Sequence, residues 1–487
     1  MTTNLDIPDL DDRTAKAAKS NFLAPEMNPK FAGKKSSATT LENIYKPIQY
    51  LGAKHRPLPV IVKKTLELVK PGTHVLDMFS GSTIVSQIFN LEGLNVISND
   101  ALKFNSVFSK SLLNIGRGVS DLKIVDHVLE QLKNFTITEV FTKPFREIIE
   151  IEKELLAKKE TSQLLELYFG LPQVSKVLFL NGHNTHEQTK YIVKHPGESA
   201  INSFPLIANY YAGTYYSVAQ ALKLDELRNG IEYLYNEKQI SEWLYNLLLT
   251  SLLHVSSKIV YTAGKHFAQP IRKENILTTP VLHNRFYEDR LKDVWDEFSK
   301  SVIEISYIAS QNINSNKNLA YSETMENITS SSFTLPEISV IYADPPYTAQ
   351  QYSRFYHIPE VIFTYEYPKL QVVNGKETSG IYPDNKFKSR FCSKRESYGA
   401  FTDLFEFASK KKSSLIISYS SSSSVETGNL RMIELNQLIE LGNKYLSKCE
   451  VEVINFDFNY RQLNTSKKIV HLKNDKEFLI VFKQPSK

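Results

Sequence analysis

Thr73-His74-Val75-Leu76-Asp77-Met78-Phe79-Ser80-Gly81-Ser82-Thr83 is a short apolar run that breaks into a turn of small residues. Upstream, Lys63 to Lys70 has helical spacing and stops at Pro71-Gly72, a standard break. Downstream, Ile84 to Leu91 resumes helical spacing, and Leu94 to Ser98 is a second apolar run closed by Asn99-Asp100. Strand, turn, helix, strand is a βαβ unit, normally part of a parallel sheet. The sheet is resumed far along the chain. Ile338 to Ala343 reads as a strong strand ending in Asp344-Pro345-Pro346-Tyr347, Ser414 to Tyr419 as another, and Val451 to Phe458 with Glu477 to Phe482 as a closing pair. Roughly 240 residues separate the two halves, too many for a loop, so an inserted domain is expected between them.

The expected organisation has four parts. Residues 1–40 form a polar arm, 41–118 the first part of an α/β domain, 119–335 the insert, and 336–487 the second part. The insert is read as mostly helical. Phe145 to Tyr168 is rich in Glu, Lys and Leu, and Ser217 to Asn236 repeats apolar residues at helical spacing. Ser310 to Ser332 is polar and reads as a loop. The serine run Ser420 to Ser424 reads as a loop continuing from the sheet's edge, or else as a flexible linker.

With 487 residues, 42% hydrophobic and 23% charged, the chain can bury a full core, which argues against disorder and fibres. Cys392 and Cys449 are too few for a disulfide framework or a cysteine-based zinc site, and suit a reducing cytoplasm. The first residues carry acids and no apolar core, so no signal peptide is expected. The most apolar stretch, Trp243 to Val255, is broken by Asn246, Thr250, Ser251 and His254, and is too short to span a bilayer. A cytoplasmic protein without a membrane partner is expected. The net charge of +5 hints mildly at an anionic partner. Aromatic residues make up 11%, enough to supply stacking surfaces for bases, although a large core uses them too.

Two segments carry chemistry. Ligands of parallel sheets sit beyond the carboxyl ends of the strands, where a tight turn meets the next helix. Asp77, Phe79 and Gly81 occupy that position after the first strand, and Asp100 closes the second strand, where a carboxylate can accept both hydroxyls of a ribose. The turn alone equally fits an ordinary α/β turn with a capping Asp. Asp344-Pro345-Pro346-Tyr347 is more specific. Two prolines hold the chain stiff, offer no N–H, and direct the Pro345 carbonyl outward beside the Asp344 carboxylate. Two acceptors side by side fit an exocyclic amine with two N–H groups to give. Accepting both hydrogens draws the nitrogen lone pair out of conjugation and makes it a nucleophile, while Tyr347 offers a flat face to the base.

These motifs resemble the DNA adenine-N6 methyltransferases, the Dam-like class with an FxGxG turn and a DPPY tetrapeptide. Asp77 to Gly81 is similar to the S-adenosylmethionine (SAM) turn, and Asp344 to Tyr347 is DPPY intact. Tyr50-Leu51-Gly52-Ala53-Lys54-His55-Arg56 is similar to the family's N-terminal segment, which implies SAM contacts from Tyr50, Gly52 and Lys54. Asn99-Asp100 matches the acidic end of the second strand and implies that Asp100 holds the ribose. Tyr211 to Ser217, His266 to Gln269 and Gln351 to His357 are similar to one bacterial branch of the class. Thr83 departs from the pattern, standing where the family has a second glycine.

The resemblance implies a Rossmann-like SAM-dependent sheet interrupted by a target-recognition domain that reads duplex DNA. The activity implied is methyl transfer to N6 of a flipped adenine, without a metal. Lys265 and His266, with Arg272 and Lys273, are candidate phosphate contacts within the insert, and Arg354, His357 and Tyr352 could flank the flipped base. For each of these residues a packed or solvated structural role is the alternative. Cytosine-N4 methylation needs the same acceptors, and a silent DNA-binding protein could keep the fold. A cognate restriction or defence-system protein is a conceivable partner.

Overall fold

The run around residue 75 forms strand β1, His74–Asp77, buried at all four residues. The other strands of its sheet are β2 (Asn95–Asn99), β3 (Leu319–Tyr321), β4 (Ile338–Ala343), β5 (Ser414–Ser421), β6 (Glu450–Asn459) and β7 (Lys476–Lys483). Their spatial order is β3-β2-β1-β4-β5-β7-β6. The first five run parallel, and β7 lies antiparallel between β5 and β6. This mixed α/β, mostly parallel sheet is consistent with a methyltransferase fold. The computed structural model describes residues 44–52, 54, 56–171, 197–201, 205–311, 317–421, 431–446, 449–459 and 476–485. The expected polar arm at 1–40 and Ser422 to Ser424 of the serine run lie outside these, whereas Ser420 and Ser421 complete β5.

Nine helices matter for the site: α1 (Leu58–Leu68), α2 (Ile84–Leu91), α3 (Lys103–Leu112), α4 (Val218–Asn236), α5 (Glu242–Ile259), α6 (Val294–Gln311), α7 (His357–Thr364), α8 (Ser397–Lys411) and α9 (Leu435–Tyr445). α1 starts earlier than the expected Lys63 because Pro59 falls in its first turn, where a missing N–H costs nothing. α4 begins at a capping box in which the Ser217 hydroxyl accepts from Gln220 N, and Gln220 reaches back to Ser217 N. The helical span read over Phe145 to Tyr168 falls on two helices, Glu139–Lys158 and Thr161–Gly170, parted where Lys159 takes a left-handed φ of 56°.

The polar stretch Ser310 to Ser332 differs from the expected loop, since it contains β3 and a short helix, Met325–Ile328. β3 is a three-residue, half-exposed edge strand, too short for an alternating pattern to show. It is anchored from outside the ladder: Asn318 accepts from Val96 N and donates to Asn90.

Apolar residues pack in three bodies. One face of the sheet closes under α1 and α2 with Ile61, Phe89 and Val75, and the other under α8 and α9 with Phe401, Leu438 and Leu76. The third body is helical and joins Phe108 of α3, Leu247 of α5, Val302 of α6 and Ile362 of α7. Helices between β2 and β3, α3 among them, thus share one core with α7, which follows β4. Trp243 fixes the contact by donating Nε1–H to the Ser111 carbonyl, and Ser111 and Thr250 exchange a hydroxyl bond of 2.8 Å. No helix among the described residues is long and apolar enough to cross a membrane.

Gly442 of α9 lies against the ring of Phe482 in β7, which is fully buried and meets Phe405 edge to face. A Cβ at 442 lands on that ring. Gly442→Ala is therefore expected to destabilise the fold by about 1–3 kcal/mol, the usual cost of overpacking a filled core. Thermal unfolding of the variant beside wild type checks it, and an unchanged midpoint would contradict the packing.

Candidate active site

A parallel sheet places the carboxyl ends of β1, β2 and β4 on one edge, and a cavity opens there. Tyr50, Gly52, Lys54, Asp77, Phe79, Gly81 and Asp100, the seven residues expected to hold a cofactor, all line it, together with Asp344 and Pro346. Five carboxylates, those of Asp77, Asp100, Glu323, Glu326 and Asp344, face two cations, Lys54 and Arg390. The lining therefore carries more acidic than basic side chains.

Asp77 ends β1 at 1% exposure. Its Oδ2 accepts from Ser86 Oγ at 2.6 Å, while Oδ1 is buried with no partner among the described residues. Burial pushes its carboxyl up to about 7, opposed by the Ser86 hydrogen bond and helped by the charges of Asp344 and Asp100. Asp100 works on the turn itself: its two oxygens accept Gly81 N and Leu102 N, each at 2.9 Å. Burial raises its carboxyl as well, against these bonds.

The turn is tight because Ser80 N donates to Asn99 O and Thr83 N to Ser80 O. Gly81 has a φ of 48°, and a Cβ there would come within 2.6 Å of Tyr50 Cε1. Thr83, the departure from the family pattern, keeps the glycine-like geometry with a φ of 64°. For a β-branched residue that is a strained conformation. Its hydroxyl donates to Ser82 O and accepts from Gln87 Nε2 at 3.3 Å. The same Gln87 binds both N and O of Tyr45, so the turn is tied to the chain segment that crosses above it.

That segment, residues 44–52, forms a strap over the cavity. Tyr50 stacks on Tyr356 with centroids 4.6 Å apart and planes 2° apart, and Leu51 N donates to the Tyr356 hydroxyl. Beyond the strap, Lys54 is buried and its ammonium lies 3.2 Å from Asp344 Oδ1 and 2.6 Å from Glu477 Oε1. Burial works against that charge, but Asp344, Tyr347 and Glu477 together hold the amine well above its usual range. Asp344 is pushed up to about 6, first by burial, with Lys54 opposing and Glu477 adding to the rise. Pro345 is buried and Pro346 half-buried. The Tyr347 ring meets Tyr419 edge to face and has the Arg431 guanidinium 5.0 Å from its centroid.

The four residues expected at DNA lie apart from this cavity. Lys265 spends its amine on the carbonyls of Lys258 and Val260 and on Asp289, which burial answers by lowering it to about 8. His266 is buried against Phe355, and His357 is buried among Tyr211, Tyr215 and Tyr382. Arg354 is exposed, with its guanidinium over Tyr382 and Nε–H donated to that hydroxyl. Sequence reasoning missed Glu477, Ser86, Tyr356 and the outer wall at Phe387 to Phe391. Glu477 alone had a legible signal, an acid heading the apolar run Phe478 to Phe482. The wall is zipped to the segment after DPPY by two hydrogen bonds between Gln351 and Ser389, and neither residue type announces that. Among the described residues, no group of three or more His, Cys, Asp or Glu is arranged to hold a metal ion.

Gly81→Ala is expected to push Tyr50 off Tyr356 and loosen the strap. Hydrogen exchange over residues 44–52 should rise severalfold while β1 and β4 stay protected. Unchanged exchange in the strap would show that the contact does not hold it.

Comparison with known proteins bears on the first part of the site. The model of the D12 class N6 adenine-specific DNA methyltransferases matches residues 50–279, taking in the strap's end, the turn and much of the helical body. Modification methylase LlaI of Lactococcus lactis subsp. lactis is 26% identical over 272 residues, which are 55% of this chain and 37% of that protein. Type II methyltransferase M.FokI of Planomicrobium okeanokoites is 25% identical over 382 residues, 77% of this chain and 44% of its own. Modification methylase StsI of Streptococcus sanguinis is 23% identical over 390 residues, 79% of this chain and 46% of its own. The chain thus spans less than half the length of each of these relatives. Over residues 50–279 the chain is similar to the D12 class N6 adenine-specific DNA methyltransferases, and the relatives it matches are modification methylases.

Proposed function

We propose that the protein transfers a methyl group from SAM to the N6 amine of an adenine flipped out of duplex DNA, at a specific sequence. The observation that carries this reading is the Asp344 carboxylate of an intact DPPY motif, set at the rim of an acidic cavity on the same sheet edge as the glycine turn. The cavity suits SAM on chemical grounds. SAM has a sulfonium, an ammonium and one carboxylate, hence a net positive charge, and the buried, unpartnered Oδ1 of Asp77 is the acceptor an ammonium needs. Asp100 would accept the ribose hydroxyls with the lone pairs its two backbone bonds leave over, and Phe79 and Tyr50 would enclose the apolar parts. When bound, SAM supplies an electrophilic methyl group on its sulfonium.

The chain's own residues do the rest. Asp344 and the Pro345 carbonyl would accept the two N6 hydrogens, orient the amine and free its lone pair, while Tyr347 supports the base. Flipping the base costs a few kcal/mol, met by contacts to the duplex. The helical body over 119–335 would read the DNA, with Lys265, His266, Arg354 and His357 as elements of that body or its border. Given their burial, His266 and His357 would act there by shaping the surface. Tyr352 would line the base's path. The protein would act in the cytoplasm, where its DNA is, and the modification methylases it resembles suggest a cognate restriction activity as partner.

Transfer from labelled SAM to mixed duplex DNA, followed by nucleoside mass spectrometry, tests the reading. N6-methyladenine is expected, whereas N4-methylcytosine would keep the chemistry and change the base. Asp344→Ala is expected to lower turnover by at least about 100-fold, the usual effect of removing one group that stabilises developing charge, with SAM binding largely kept. Turnover should also fall as pH drops through about 6, because protonating Asp344 removes an acceptor.

Asp77 gives a separate test. Its folded pKa of about 7 lies above the ordinary carboxylate value, so the free protein holds a proton that an incoming ammonium would expel. Near pH 6.5, calorimetric heats of SAM binding should vary with the ionisation enthalpy of the buffer. Heats independent of buffer would remove Asp77 from the ammonium site.

A further inference from the structure

We infer that Glu477 is a positioning residue for methyl transfer: it draws the Lys54 ammonium partly off Asp344, leaving the second Asp344 oxygen open and the three-residue cluster negatively charged. The inference rests on the proposed reaction and goes beyond it, since Glu477 belongs to neither the turn nor DPPY and sits on the closing strand β7.

The geometry is specific. Lys54 is buried and has two carboxylates to choose from, at 2.6 Å on Glu477 and 3.2 Å on Asp344. The shorter, hydrogen-bonded contact goes to Glu477. Glu477 itself is buried at 6% exposure, where an acid is tolerated only when paired. On Asp344 the ammonium meets Oδ1, and Oδ2 accepts no hydrogen bond from the described residues. An isolated Lys54–Asp344 pair would be neutral, and its carboxylate a weakened acceptor. A second carboxylate on the same ammonium leaves the cluster with one negative charge in excess.

That excess matters for the reaction. As N6 forms its bond to the methyl carbon, the carbon–sulfur electron pair returns to sulfur and N6 becomes cationic. N6 then loses one of its protons to Asp344 Oδ2, and from there to water. A cluster of net charge −1 stabilises the cationic nitrogen, and a neutral one does not. The charged and titratable groups facing Asp344 are Lys54 below the strap, Glu477 on β7, Asp77 on β1 and Tyr342 on β4, with Tyr347 of DPPY also beside Lys54. Of these, Glu477 is the one whose removal changes the charge without touching the turn, the motif or a residue expected to hold SAM.

Glu477→Gln keeps an acceptor for Lys54 and removes the charge. Two readouts apply. In the protein without cofactor, the Asp344 carboxyl, labelled with carbon-13 and assigned by Asp344→Asn, should titrate at lower pH in Glu477→Gln than in wild type. In the complete reaction, kcat should fall about 10-fold, the effect of one charge lost at this range, with KM for SAM little changed and the acid limb of the pH profile moved down. Glu477→Asp, which restores the charge, should recover most of kcat, a rescue that a purely structural role would not give. An unshifted Asp344 titration, or a wild-type kcat in Glu477→Gln, overturns the inference while leaving the methyltransferase reading intact. If wild type itself methylates no DNA, that reading fails, and the inference with it, whatever the titration shows.

Discussion

The pairing of β1 with β4 is the constraint on which the site depends. The two strands lie far apart in sequence, with most of the helical body between them, yet they run parallel with Leu76 beside Ile341 and Asp77 beside Tyr342. Parallel strands end on the same edge, so Asp77 and the Asp344 that follows β4 are brought to one cavity. The same pairing brings carboxylates close together in a buried place. Burial then raises Asp77 and Asp344 above the ordinary carboxylate range, with the charge of Asp344 adding to the rise at Asp77 and that of Glu477 to the rise at Asp344. A site strained in this way is suited to a cationic guest, whose arrival relieves the strain.

The helical body is less separable from the sheet than its place in the sequence suggests. α3, directly after β2, forms one core with α5 and α7. Glu360 of α7 reinforces that union by accepting Lys103 N and Phe104 N at the start of α3. The strap is held from both sides. Gln87 grips Tyr45 from the turn, while Ser301 of α6 bonds the Tyr45 hydroxyl at 2.6 Å and the His254 ring of α5 meets the Pro47 carbonyl at 3.0 Å. Burial, above all, lowers His254 to about 4, so its ring is neutral at physiological pH and donates Nδ1–H to that carbonyl. Any shift of the helical body relative to the sheet would therefore be felt at Tyr50.

Legibility followed the length and regularity of the pattern. β1, β2, β4, β5 and β7 are runs of buried residues bounded by turns, and Ile84 to Leu91 matched α2 at both ends. Asp77, Phe79, Gly81 and Asp100 were readable as cavity residues because they cluster at strand ends, where topology alone predicts a ligand, whereas Tyr50, Gly52 and Lys54 came only from the family resemblance. β3 was not readable, since three half-exposed residues have no period and its anchors are asparagine side chains. The left-handed break at Lys159 was hidden by good helix formers on either side. The candidate DNA contacts were read from residue type, and type does not reveal burial: His357 and His266 are enclosed by aromatic rings. Glu477 was read as part of a strand, because its meaning lies in a lysine more than 400 residues away.

That separation explains why the charge cluster takes three residues from three places. Asp344 directly follows β4 at the cavity rim, where its carboxylate is part-buried and in need of a counter-charge. Lys54, just beyond the strap, supplies one without occupying the strand. Left to itself, the pair would approach neutrality, and much of what Asp344 offers an amine would be lost to the ammonium. A third group on β7 divides the ammonium between two acids. β7 can host it because, as the antiparallel strand between β5 and β6, it enters the sheet at the edge where the parallel strands end. Its first residues therefore lie at the cavity rim while the rest descends into the core. The one reversed strand is thus what lets a residue near the chain's carboxyl end meet the end of β4.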